Sequence, residues 1–455
     1  MKVMNIKLAS FTFAALLLAS CSDSTDGPSG NVEKNIVGKE VTSITDAQEL
    51  ASRVVNFNST VTTTKARSRA AVTEPQLTQL SMPAAPTPTG EELPENIYSS
   101  SQAGNYVVTS NKSVSIGNVS NTNIYVKSGT LTITNQYQLG DNVNIYVLGG
   151  TVEYKSQSNL NGLSFYIYKD GAFKTSLSQI YVTLNSNFYV EGNFETTADF
   201  DNRGKMYVGG SLTGSKLYPG YGSQTTIEKN LSLKNDLSTD GDLYIGGDLK
   251  AQNLNFGSQV YIKGNVNISN NTYKTTTENA NVYIGGNLTA GNFEHNQGST
   301  TNVQGENGLD LSKKDITING TVNFAGSFKT NTLKLQGTTN FYACGVETKG
   351  EFRIDSNTAN LHTGYLKAAS IYQCASSHIY LNSNGYIDCS GTYQNENNGV
   401  GSVDLVGSGS KALFKANKVK YTGNNDFCLG KAYNNAYFST CYLFNAETEG
   451  SGREG

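Results

Sequence analysis

Residues 241–270 read "GDLYIGGDLKAQNLNFGSQVYIKGNVNISN", in which a unit of hydrophobe, Tyr, hydrophobe, then Gly and a further hydrophobe occurs around Tyr244 and again around Tyr261. The same unit surrounds Tyr125, Tyr146, Tyr189, Tyr207 and Tyr283, with a weaker copy at Tyr166. Taken in order, these tyrosines are separated by 21, 20, 23, 18, 37, 17 and 22 residues. The interval of 37 is two periods, with "TIEKNLSLKND" at 226–236 as a worn copy between them. Later copies, "ITINGTVNFAG" at 316–326, "NFYACGVETKGEFRI" at 340–354 and "HIYLNSNGYIDCSG" at 378–391, drift in motif and keep the period.

A repeat near twenty residues cannot bury an apolar face alone, and it becomes stable by stacking on its neighbours. Within "VYIGGNLTA" (282–290), strand alternation puts Val282 and Ile284 on one face and Tyr283 on the other, with Leu288 inward again. Gly285 and Gly286 are expected to let the chain turn, and Asn in "GNV", "GNL" and "GNF" to satisfy the turn backbone. Four-stranded propeller blades need about 40 residues, so neither a propeller nor a hairpin sandwich suits so short a unit. The reading is all-β: a single-stranded parallel β-helix (β-solenoid) over 104–445, its tyrosines forming an external column of stacked rings.

Proline supports that boundary. Pro28, Pro75, Pro83, Pro86, Pro88 and Pro94 precede residue 95, and only Pro219 follows. A paired strand cannot spare its N–H, so the proline-poor region is the ladder, and "SMPAAPTPTGEELPEN" (81–96) reads as an extended spacer. Residues 22–103 form a low-complexity tether with one short helix at 45–55, where Thr45 caps and Gln48 returns the hydrogen bond. Lys65, Arg67 and Arg69 read as a solvated loop. The end, 446–455, is a polar tail expected to be disordered. If nothing capped the last coil, its open edge would pair with another molecule, so self-association stays open.

At the N-terminus, Lys2 and Lys7 precede an apolar run from Leu8 to Ala19, too short to span a bilayer, which reads as an export signal over 1–21. Its ending Leu18, Ala19, Ser20, Cys21 resembles the lipobox of bacterial lipoproteins. That resemblance implies lipid attachment at Cys21 and a place at the outer membrane, lipid-anchored and exposed at the cell surface. With the polar "SDSTDGPSG" that follows, the chain resembles surface lipoproteins of the Bacteroides group that carry a right-handed parallel β-helix. The segment "YIGGDLKAQNLNFGSQVYIKGNV" is loosely similar to the strand and turn pattern of bactofilins, polymer-forming β-helices. These likenesses imply a surface or scaffold role.

Composition excludes one class of partner. A net charge of −3 with 16% charged residues gathers no nucleic acid. The 27 Tyr and 18 Phe supply flat faces for sugars although Trp is absent. His295, His362 and His378 belong to no nucleophile elbow or zinc motif, and the "YIGG" units are neither phosphate loops nor calcium repeats, so no catalytic set, metal or cofactor is expected. Asp199, Asp201 and Arg203 would share one side of a strand and form the first place to look for an acidic cleft. Cys344, Cys374, Cys389, Cys428 and Cys441 cluster in the last quarter, as two disulfides with one thiol over or as thiols inside the coils; Cys374 and His378 are too sparse a pair for a metal site. The leading function is a non-enzymatic surface adhesin or ligand-binding scaffold. It would present rows of Tyr and Asn, with Tyr125, Tyr146, Tyr189, Tyr207, Tyr244, Tyr261 and Tyr283 as the ligand face for glycans or cell-surface proteins. The rivals are a polysaccharide lyase or hydrolase, and a purely structural self-assembling rod.

Overall fold

The computed structural model describes residues 72, 74–374, 376–396, 402–405, 413–422 and 440–443. The expected signal with Cys21, the helix at 45–55, the basic cluster at Lys65, Arg67 and Arg69, Cys428 and the tail from 446 lie outside the described residues. The chain falls into two compact units, one over Thr73–Gly305 and one containing the strands from Leu309 onward.

In the first unit the chain winds as a parallel β-solenoid with three walls. The first wall climbs from Asn105–Val108 through Thr122–Val126, Val143–Val147 and Leu163–Ile167 to Asn281–Ile284 and Thr300–Val303, each strand in parallel register with its equivalent one coil on. The second wall comprises one sheet ending at Ala172–Thr175 and another beginning at Phe194–Glu195. The third runs from Gln179–Val182 through Asp199–Asn202 and Leu217–Pro219 to the distal halves of Val266–Thr275 and Leu288–Glu294.

Alternation along each short strand builds the core. On the first wall Ile124, Ile145, Phe165, Phe188, Met206, Leu243, Val260 and Val282 point inward and are buried. Phe194, Leu212, Leu231, Leu249, Val266 and Leu288 close the second wall, and Phe200, Leu217, Leu237, Leu254, Tyr273 and Phe293 the third. Each such side chain contributes about 1.5–3 kcal/mol on burial, but a strand of two to five residues buries its apolar edge only when another coil stacks on it. Where the second wall breaks, aromatic rings fill the interior: Phe173 meets Phe188 edge-on at 5.0 Å, and Phe194 meets Phe200 at 5.5 Å.

The paired glycines sit at the bends as expected, and a close approach rather than a left-handed backbone requires them. Gly247 and Gly286 do not occupy the left-handed region. A Cβ on Gly247 would lie 2.3 Å from Asn230 Oδ1, and one on Gly286 2.6 Å from Asn265 Oδ1. Those side-chain oxygens accept the backbone N–H of the next coil, Asn230 from Asp248 at 2.8 Å, Asp248 from Asn265 at 2.7 Å and Asn265 from Asn287 at 2.9 Å. Glycine therefore clears space for an Asx ladder that satisfies the turn's donors.

The ladder also starts earlier than residue 104. Glu91–Glu92 pairs with Tyr106 and Val107, and Asn96–Ile97 with Ser115 and Ile116. Pro94 sits between those two strands, where no ladder donor is needed.

The second unit is also parallel throughout its described strands, which are longer and bend at register shifts: Thr321–Leu335, Asn340–Thr348, Asn360–Ala368 and His378–Glu396. Val322, Phe341, Leu361 and Ile379 form one inward column in register.

Candidate binding faces of the coil

Two outward columns run up the first wall. In the first, the register links Tyr125, Tyr146, Tyr166, Tyr189 and Tyr207, then Thr226, then Tyr244, Tyr261 and Tyr283. Ring centroids lie 5.3 Å apart between Tyr125 and Tyr146, 5.0 Å between Tyr146 and Tyr166, and 4.9 Å between Tyr261 and Tyr283. The strand spacing itself imposes this stacking, since identical outward residues recur at about 4.8 Å. The worn copy in the sequence is the position of Thr226. Beside the rings runs an amide column, where Asn123 Nδ2 donates to Asn105 Oδ1 at 2.9 Å and Asn144 Nδ2 to Asn123 Oδ1 at 3.0 Å.

The proline-rich stretch expected to be a spacer lies along the tyrosine column. Its residues alternate except at Ala84: Leu80 is buried and Met82, Pro86 and Pro88 are half-buried, while Ser81, Pro83, Ala84, Ala85, Thr87 and Thr89 are exposed. The contacts follow in order along the wall. The Glu74 carboxylate acts on Tyr261, the Gln79 side chain faces the Tyr244 hydroxyl, and the Leu80 N–H donates to Thr226 Oγ1 at 3.0 Å. The Met82 backbone then faces the Tyr207 hydroxyl, and Tyr168, adjoining the column, donates to Ala84 O at 3.3 Å. Gly90, at φ +112° with no room for a Cβ against Asn105 O, turns this strap into the first strand. The wall's own backbone is already paired, so a segment crossing it needs few donors of its own, and proline is tolerated there.

Burial shows in the acidity of these phenols. Burial, with Tyr166 and Tyr125 alongside, pushes Tyr146 up to about 12, and burial with Tyr166 alongside does the same for Tyr189. Tyr207, Tyr244 and Tyr261 are raised by burial first and nearby carboxylates or Tyr244 second.

On the third wall, Asp199 and Asp201 do stand two residues apart on one strand. Asp201 is 8% exposed and ion-paired with Arg203 at 3.3 Å. It lies in register between Tyr181 and Tyr218, and the Tyr218 hydroxyl donates to Asp240. The Asp201 side chain is thus mostly buried while the Arg203 guanidinium that engages it stays largely exposed. His295 is buried against Phe293 and hydrogen-bonded to Thr301 Oγ1 at 3.0 Å. In the second unit His362 is sandwiched between Tyr342 at 4.2 Å and Tyr380 at 4.4 Å, and His378 stacks on Tyr380 at 5.4 Å. Among the described residues no group of three or more His, Cys, Asp or Glu could hold a metal ion. Cys389 is buried and Cys344 and Cys374 half-buried, the Cys374 thiol donating to Asn357 Oδ1 at 3.4 Å.

The rows left open are polar and charged. On the second wall Glu195, Thr213, Ser232, Lys250, Asn267 and Thr289 follow one another in register, exposed except for half-buried Ser232. In the second unit Asp310, Lys329, Glu347, Lys367 and Asp388 alternate in sign along one column, and a depression of about 290 Å³ opens there. The Lys329–Glu347 pair at 3.3 Å and the Tyr365 hydroxyl, which donates to Glu347 Oε1 at 3.0 Å, bind these charges to one another.

The chain is thus an all-β parallel β-solenoid that presents long rows of repeated side chains. Residues 182–281 match a family described as "Putative Ice-binding-like adhesive domain". No curated protein and no solved structure matches the chain. The match supports a general adhesin or scaffold role, and it falls on the coils where the glycine pairs and the Asx ladder are most regular.

Proposed function

We propose that the protein is a non-enzymatic cell-surface adhesin, held at the outer membrane by lipid on Cys21, whose solenoid binds glycans or cell-surface proteins through its open polar rows. The observation that carries this reading is the adhesive-domain match over 182–281, coincident with the exposed second-wall row Glu195, Thr213, Ser232, Lys250 and Asn267. A flat ladder repeating every ~4.8 Å offers many weak, equivalent contacts, and such contacts gain strength by multivalency rather than by one deep pocket. The shorter members of the row, Thr213, Ser232 and Asn267, lose less rotamer freedom than Glu195 and Lys250 when a ligand settles on them. The Asp201 carboxylate is 8% exposed and engaged by Arg203 at 3.3 Å, which supports the non-enzymatic side of the reading.

The test exposes the full chain to arrayed glycans and intact cells, and assays the same samples for released oligosaccharides. Saturable retention without release is the expected result. Release of fragments, lost in Asp199→Asn and Asp201→Asn, would instead make the protein a polysaccharide-degrading enzyme.

A further inference from the structure

The tyrosine column has an occupant, and the way it is seated says what kind of ligand the column takes. We propose that the column is a binding groove for an extended, proline-containing peptide centred on a leucine, filled in cis by residues 74–90 and open to the same segment of a second copy when the cis strap leaves.

The groove has three recognition elements. First, hydroxyls of the wall meet the strap's backbone: Thr226 Oγ1 accepts from the Leu80 N–H and Tyr168 donates to Ala84 O, with the Met82 backbone facing Tyr207 between them. Such contacts read an extended backbone with little regard to side chains. Second, the column has a notch. Thr226 stands where its register partners Tyr207 and Tyr244 carry rings, so a gap of about 10 Å, two strand spacings, opens between those rings. Leu80, the strap residue bonded to Thr226, is only 9% exposed, while its neighbours Gln79 and Ser81 are exposed. The notch therefore sets the register of the peptide, because sliding it by one residue would bring an exposed-face side chain to the gap. Third, the alternate inward residues Met82, Pro86 and Pro88 are apolar or proline, so the segment stays extended at low entropic cost and donates few hydrogen bonds that the wall would have to meet.

The strap joins the solenoid through a single turn at Gly90. A segment that packs on its own domain through side chains, linked by one turn, has the geometry of an exchangeable element, and the same contacts form when it reaches the wall of another copy. In dilute solution the cis strap prevails through its high effective concentration; crowding of many copies favours exchange. A second copy is the fitting occupant because its residues 74–90 already carry every element above.

A labelled synthetic peptide of residues 74–90 provides the test, titrated against the full chain as wild type, as Leu80→Asp and as Leu80→Asp/Thr226→Tyr. Leu80→Asp disengages the strap and leaves the wall intact, which far-ultraviolet circular dichroism checks. It should bind the peptide about tenfold or more tightly than wild type, whose groove is occupied. Filling the notch with Thr226→Tyr should abolish that gain, and a peptide carrying Asp at position 80 should bind none of the three. Two differently tagged wild-type chains, mixed at high concentration, should co-purify, and two Leu80→Asp chains should not. Equal peptide binding by wild type and Leu80→Asp, or equal binding of the Asp-bearing peptide, would overturn the groove. Peptide binding without co-purification would overturn the second copy as its occupant. These readouts do not involve glycans, so the groove and the proposed adhesive rows stand or fall separately.

Discussion

The Leu80 backbone N–H donates to Thr226 Oγ1 at 3.0 Å across 146 residues of sequence, and that bond fixes the strap at the one interruption in the tyrosine column. Replacing Leu80 by Ala removes the buried side chain beside the notch, at a cost of about 2 kcal/mol, the low end for buried Leu→Ala. Limited proteolysis and hydrogen exchange should report faster opening confined to residues 74–90, with the thermal midpoint of the coils little changed.

The Asx ladder makes a sharper prediction. Gly247→Ala would force a Cβ to 2.3 Å from Asn230 Oδ1, and the clash should cost about 1–3 kcal/mol in thermal or denaturant unfolding. Asn230→Ala alone should also destabilise, because the Asp248 N–H loses its acceptor. Combined, the two should cost less than their sum, since the second removes the obstacle the first creates.

In the second unit, burial and the neighbouring His378 lower the His362 pKa from 6.5 to about 4. The folded state then binds fewer protons than the unfolded state between these values, so stability present above pH 6.5 is lost as pH falls through 4, by about 3 kcal/mol. His362→Gln should flatten the pH dependence of the second unit's unfolding in that window, and an unchanged slope would contradict the assignment.

At alkaline pH the sign is also set by raised pKa values. Tyr146, Tyr168 and Tyr189 are pushed from 10.0 up to about 12, chiefly by burial. Their contribution is intact below pH 10 and is lost as pH rises toward 12. Spectrophotometric titration of the phenols should show a late-ionising class, diminished in Tyr146→Phe and Tyr189→Phe.

Phe188 packs against Phe165, Phe173, Phe194 and Phe200 at the break in the second wall. Phe188→Ala should cost about 3–5 kcal/mol and be the most damaging of these substitutions to the first unit, as read by chemical unfolding.

The solenoid was legible because its period is written in residues whose burial alternates: Val282, Tyr283 and Ile284 state which face is in and which is out. The column of tyrosines follows directly, and even its gap appears in the sequence as the worn copy at Thr226. The strap was not legible, since four inward residues spread over Leu80 to Pro88 make a pattern too short and too proline-rich to distinguish from a free spacer. Sequence placed Gly285 and Gly286 at the bend but not the close approach that demands glycine there, because Asn265 Oδ1 beneath Gly286 comes from the preceding coil and is not a local feature. For the site, sequence named the tyrosine and asparagine rows and the acidic pair. It did not show that Asp201 is buried with Arg203, nor that the tyrosine row is covered while the second-wall row stays open.

The most direct measurement compares retention on arrayed glycans and intact cells for wild type, Thr213→Lys/Asn267→Lys on the open second-wall row, and Tyr146→Phe/Tyr189→Phe on the covered column. The account predicts that the first double variant loses retention by about tenfold or more through multivalent contacts and that the second retains it. Full retention by the second-wall variant, with loss in the tyrosine variant, would contradict the assignment of adhesion to the open rows.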